Sequence, residues 1–98
     1  MQVSYYGGVS KTAYTQANDA FRELLKESRI AKELTQADVA TRLGLPQSYV
    51  SKYESGERRL DFIETTEVCK ALGISLEDFV AAFLAKLAKG GRAKGAEK

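Results

Sequence analysis

Residues 36–55 read QADVATRLGLPQSYVSKYES, and the fold is decided there. Val39 and Leu43 set one apolar stripe by their i, i+4 spacing, Val50 and Tyr53 set another by i, i+3, and Leu45 lies between the two. Stripes facing a shared turn can close on each other. Ala40 is small where the two backbones must approach, and Gly44 supplies the left-handed conformation that ends a helix without a Cβ clash. Pro46 follows and suits the first turn of a new helix, because the N–H it lacks has no partner there. The spacing predicts two short helices joined by a tight turn, a helix-turn-helix.

Such a unit can lay its second helix in the major groove of DNA. Leu34-Thr35-Gln36 before the first helix, Gly44 in the turn, and the run from Val50 through Ser51, Lys52, Tyr53, Glu54, Ser55, Gly56, Glu57 and Arg58 to Arg59 carry a further signal. Together they resemble the Cro and lambda-repressor type (xenobiotic-response-element type) of helix-turn-helix regulator, over roughly Phe21 to Leu84. Glu33 departs from that family, standing where a glycine is common. The fold implied is all-α, a five-helix lambda-repressor-like DNA-binding domain.

Length and composition set the outer bounds. Ninety-eight residues suit one domain with one helical core, and leave no room for a separate ligand-sensing domain beside it. The formal net charge of +2 is a weak signal by itself. Its distribution says more, because residues 60–85 set Asp61, Glu64, Glu67, Glu77 and Asp78 against Lys70 alone. Residues 86–98 set Lys86, Lys89, Arg92, Lys94 and Lys98 against Glu97 alone. Cys69 is the single cysteine and there is no histidine, so an intramolecular disulfide, a zinc site and a Ser-His or Cys-His catalytic arrangement are excluded. No metal or other cofactor is expected, and no enzyme. The longest apolar run, Phe79 to Ala85, is too short to cross a bilayer, and the N-terminus has no signal-peptide pattern. No membrane partner is expected, and the location should be cytoplasmic.

Residues 1–14, with Tyr5, Tyr6 and Gly7-Gly8, show no sustained period and read as a loose arm, either a minor-groove arm with Lys11 as its one charge or plain disorder. The domain proper is expected over 15–89. A first helix is predicted from about Gln16 to Lys32, capped near Thr15, with Phe21, Leu24, Leu25 and Ser28 inward and Arg22, Glu23, Lys26 and Glu27 outward. Thr35 caps the second helix, and Asp38 takes the place of the usual glutamate or glutamine in a weakened capping box.

The third helix, about Gln47 to Glu54, points Val50 and Tyr53 inward and Gln47, Ser48, Ser51 and Lys52 outward. The resemblance places base-reading side chains at Gln47, Ser48 and Lys52. The chemistry suits them, since a glutamine amide pairs bidentately with adenine N6 and N7, and a lysine suits guanine O6 and N7. Ser48 and Ser51 can serve bases or phosphates. Gln36 matches a family glutamine that bonds a phosphate and supports the next helix, the alternative being a solvated surface glutamine. Tyr49, at the flank, either touches DNA through a thymine methyl or a phosphate, or is a partly buried surface tyrosine. After Gly56 the resemblance sets Arg58 and Arg59 beside the DNA backbone, with intramolecular ion pairs to Glu54, Glu57 or Asp61 as the alternative.

Asp61 and Glu64 form a capping box for a fourth helix running to about Leu72 before Gly73, with Ile63, Val68, Cys69 and Leu72 as core. A fifth is predicted from after Ser75 to about Lys89. Its stripe of Leu76, Phe79, Val80, Phe83, Leu84 and Leu87 is wider than one small core needs, so Phe79, Val80, Phe83, Leu84 and Leu87 are expected to form a dimer surface, the alternative being that the first half of the stripe completes the core and the second half frays. Residues 90–98 read as a flexible basic tail. The resulting expectation is a homodimeric regulator of transcription that binds double-stranded DNA at a two-fold symmetric operator. Two other readings stand beside it: an antitoxin-like module that binds a partner protein and autoregulates its promoter, and a protein-only adaptor.

Overall fold

The computed structural model describes residues 11–96, whose chain runs through α1 (Lys11–Ala31), α2 (Gln36–Leu43), α3 (Gln47–Ser55), α4 (Phe62–Leu72) and α5 (Leu76–Ala96). The described residues contain no strand. Thr35 accepts from the Asp38 N–H at 3.0 Å and Asp38 Oδ2 accepts from the Thr35 N–H at 2.8 Å, so the aspartate completes the capping box that was expected to be weak. Asp61 and Glu64 form the same reciprocal pair at the start of α4.

The helix ends are built alike. Gly44 (φ 71°) and Gly73 (φ 77°) each sit in the left-handed region and close a Schellman motif, with Leu45 N–H donating to Ala40 O and Ile74 N–H to Cys69 O. Glu33 (φ 61°) does the same for α1, its neighbour Leu34 donating to Arg29 O at 3.1 Å. The glycine expected from the resemblance is thus replaced by a glutamate held in a glycine conformation.

Helix α1 starts earlier than the sequence suggested, so Thr15 lies within the helix and does not cap it. Of the expected arm, residues 1–10 lie outside the described residues. At the other end α5 continues through Gly90 and Gly91 to Ala96, so the backbone of the expected tail is helical as far as it is described. Two glycines cost a helix about 1 kcal/mol each relative to alanine but do not stop it as proline would. Residues 97 and 98 lie outside the described residues.

The core gathers Leu25 of α1, Val39 and Ala40 of α2, Val50 and Tyr53 of α3, Val68, Cys69, Ala71 and Leu72 of α4, and Phe79 of α5. Each large member contributes roughly 1.5–3 kcal/mol by leaving water. Ile63, expected in this core, is 65% exposed. The buried positions of α4 are Thr65, Val68, Cys69, Ala71 and Leu72, and the i, i+3, i+4, i+7 series from Thr65 to Leu72 among them leaves Ile63 on the far face. Helix α2 packs on α3 and α4, and α1 packs on α3 and α5. Lys86 ties α5 to α1 through Glu27 at 3.1 Å and Glu23 at 3.6 Å.

Candidate nucleic-acid interface

Helix α3 has a buried side, Val50 and Tyr53, and an outward side on which Gln47, Ser48 and Lys52 are exposed and Ser51 is half-buried. Pro46 precedes it at the N-cap with φ −66° and ψ 153°, one residue earlier than the first-turn position expected for it, and supplies no side-chain cap. The Gly56 cap at φ 93° ends the helix. The backbone conformation favours glycine there, and a Cβ would also sit 3.1 Å from Arg22 Nε, so the arginine would have to shift slightly to admit one.

Behind the outward face lies a set of polar side chains that the sequence reading did not assemble. Arg29 of α1 forks onto Glu54 of α3, donating from Nε to Oε2 at 2.7 Å and from Nη2 to Oε1 at 3.1 Å. Their side chains are 12% and 4% exposed. A third Arg29 donor meets Leu34 O at 2.9 Å. Hydrogen bonding to Glu54 raises the Arg29 pKa above its ordinary value, against the opposing effect of burial. Gln36 donates from Nε2 to Glu54 Oε1 at 2.9 Å, and Gln47 donates from Nε2 to Gln36 Oε1, also at 2.9 Å. Three helices therefore hold the first side chain of α3. Arg22, expected on an outward face, instead reaches the end of α3, where Nη1 donates to the Glu54 carbonyl at 3.1 Å and Nη2 pairs with Asp19 at 2.6 Å.

Burial pushes the Tyr53 phenol well above its ordinary pKa. Tyr49 meets the Tyr53 ring edge-on at 5.7 Å between centroids and carries the Arg58 guanidinium over its own ring at 4.8 Å. It is partly buried and serves as a platform for that arginine. Arg58 also pairs with Glu64, which was not among the partners considered from sequence. Hydrogen bonding to Tyr49 and then the Glu64 charge raise the Arg58 pKa. Arg59 is exposed and stacks over the Tyr14 ring at 5.2 Å.

The structure thus brings Gln36 and Gln47 together, sets Ser48, Ser51 and Lys52 along the same helix, and puts Tyr49 and Arg58 at its flank. Residues 25–79 match the profile described as Helix-turn-helix, more than half of the chain. The chain belongs to the XRE-type helix-turn-helix family. Among solved structures, an XRE-family-like protein from Pseudomonas syringae pv. tomato str. DC3000 is 41% identical, with 76% of this chain and 92% of that one covered at a TM-score of 0.73. The restriction-modification controller protein C.Esp1396I is 25% identical, with 74% and 95% covered at a TM-score of 0.71. No curated protein matches the chain significantly. Membership makes this a DNA-binding regulator of transcription. Among its described residues, no helix is long and apolar enough to cross a membrane, and no group of His, Cys, Asp and Glu could hold a metal ion.

The family match ends at Phe79, and the residues expected to pair two copies separate there into two groups. Phe79 is 4% exposed and meets the Phe21 ring edge-on at 5.9 Å, which removes it from any outer surface. Phe83 is half-buried against the same ring at 6.4 Å, and Leu87 is half-buried too. Val80 and Leu84 remain outside, 42% and 56% exposed, and Phe62 of α4 joins them at 65%. Phe62, Val80, Phe21 and Phe83 line one shallow cavity of about 170 Å³, so these exposed residues adjoin the α1–α5 core.

Proposed function

We propose that the protein regulates transcription by binding, as a homodimer, a two-fold symmetric DNA operator, with α3 of each copy in a major groove. The observation that carries this reading is the outward face of α3, where Gln47 is held in place by Gln36 and stands beside exposed Ser48 and Lys52. Gln47, Ser48, Ser51 and Lys52 read base edges, while Gln36, Arg58 and Arg59 touch phosphates. Tyr49 contributes through Arg58, whose guanidinium it supports beside the DNA backbone. The flat ring beneath restricts where that charge can go. Occupying a promoter is the whole activity, which requires no catalysis and no cofactor, and the site of action is the cytoplasm where the DNA lies.

The second copy meets Phe62, Val80 and Leu84. A two-fold axis through that patch sets each apolar group against its own counterpart, and the pairing removes the exposed apolar surface that a single copy leaves in water. Symmetry of the protein then requires symmetry of the site. Selection of bound sequences from a random DNA pool should return an inverted repeat whose half-sites are about 34 Å, one helical turn, apart. An enriched sequence with one half-site only, or no enrichment, contradicts the proposal.

A further inference from the structure

A glutamine that reads a base must present its donor and its acceptor in a fixed order, yet a carboxamide exchanges the two by a half-turn. In this protein the order is imposed from behind. Both Glu54 oxygens accept hydrogen bonds from Arg29, and a carboxylate has no proton to give. The Gln36 atom 2.9 Å from Oε1 is therefore its NH2 group, because an oxygen there would face an oxygen. That leaves the Gln36 carbonyl oxygen toward Gln47, which must meet it with an N–H. One amide hydrogen of Gln47 is used in this way. What remains for DNA is one N–H beside one carbonyl, the complement of adenine N7 and N6.

We propose that Glu54 is a specificity-determining positioning residue: held by Arg29 in an acceptor-only state, it fixes the polarity of the Gln36 and Gln47 amides and so selects adenine at the base pair Gln47 reads. The proposal rests on Gln47 being a base contact. Glu54 itself never touches DNA. Reversing the order would turn the Gln47 NH2 outward with both hydrogens free, which suits the two acceptors of guanine.

The test uses the full chain and four duplexes that differ only at the base pair identified by loss of preference in Gln47→Ala. Wild type should favour A·T there by roughly tenfold or more. Gln36→Met removes both amide bonds and leaves the Arg29–Glu54 fork intact, so the four duplexes should bind nearly equally. Glu54→Gln has only one oxygen, and in either orientation its NH2 faces one Arg29 donor, so the order is no longer imposed on Gln36 and the preference for A·T over G·C should shrink. Thermal melting checks folding of each variant. A folded Glu54→Gln that keeps the wild-type A·T preference overturns the proposal, as does a Gln36→Met that keeps it. If Glu54→Gln does not fold, Gln36→Met decides alone. A wild-type preference other than A·T at that pair also overturns it. Should Gln47→Ala leave every base preference unchanged, the reading of Gln47 fails and the polarity proposal goes with it. A preference that responds to Gln47→Ala but to neither of the other two variants sinks the polarity proposal alone.

Discussion

Replacing Arg29 with methionine should cost this fold about 4 kcal/mol. Methionine keeps the aliphatic stem among its neighbours but strands the Glu54 carboxylate, whose side chain is 4% exposed, without its forked donor. Removing one partner of a buried pair costs roughly 3–5 kcal/mol, because the other charge stays desolvated. The Leu34 carbonyl loses its 2.9 Å donor as well, a further loss of about 1 kcal/mol if water does not replace it. Domains of this size have only about 5–15 kcal/mol in total. Arg29→Met should therefore stay folded near room temperature but melt some 15–30 °C lower, at about 4–8 °C per kcal/mol. Urea unfolding followed by circular dichroism measures the loss, with Arg29→Met/Glu54→Met as the control. The double variant buries no charge and should recover at least half of the stability. A single variant that loses less than about 1 kcal/mol, or a double variant no more stable than the single, would refute the account of this pair.

Glu33→Gly should stabilise the protein by about 1 kcal/mol in the same assay, since it relieves a left-handed residue. Gly44→Val should destabilise it by more than about 1 kcal/mol although nothing lies within 4 Å of the new Cβ, the cost being backbone strain alone. Thr35 bonds, from the backbone N–H first and then the hydroxyl, hold the Asp38 carboxyl below its ordinary pKa of 3.8. Its contribution is therefore present above that value and fades as pH falls through the lower folded value; Asp38→Asn should flatten the acid side of the stability profile and leave its alkaline side unchanged. Val80→Lys with Leu84→Glu should leave a folded monomer in sedimentation at tens of micromolar, roughly the range of a weak interface, where the wild type should sediment as a dimer. A variant that still sediments as a dimer would move the contact elsewhere, and a monomeric wild type would contradict the dimer itself.

The two-helix unit was legible because its signals are local. Val39, Leu43, Gly44, Val50 and Tyr53 act within a few residues of one another, and each was found in its expected place. Ile63 was misplaced because its side depends on the helix phase, which Thr65 and Val68 set more strongly than a single isoleucine does. Phe79 and Val80 differ for another reason. An apolar stripe read from one chain does not separate surface covered by α1 from surface that a second copy would cover, and only the packing of Phe21 on Phe79 and Phe83 resolved them. The fork of Arg29 onto Glu54 joins residues 25 apart on different helices, beyond the reach of any i, i+4 rule. A signal did exist, since Arg29 lies one turn after Leu25 and Glu54 immediately after Tyr53, so two opposite charges border buried stripes.

The central claim is that α3 reads bases while the loop after it holds the backbone, and binding of matched and altered operators over a range of salt tests it directly. Lys52 is exposed one turn beyond Ser48, so Lys52→Ala should cost roughly 1–3 kcal/mol on the matched operator and much less on one altered at a single base pair per half-site. Arg59→Ala, or Arg58→Ala once its pairing with Glu64 is taken into account, should weaken all sequences nearly alike and flatten the salt slope by about 0.9 per lost phosphate contact. Uniform weakening by Lys52→Ala together with a changed base preference in an arginine variant would contradict the account.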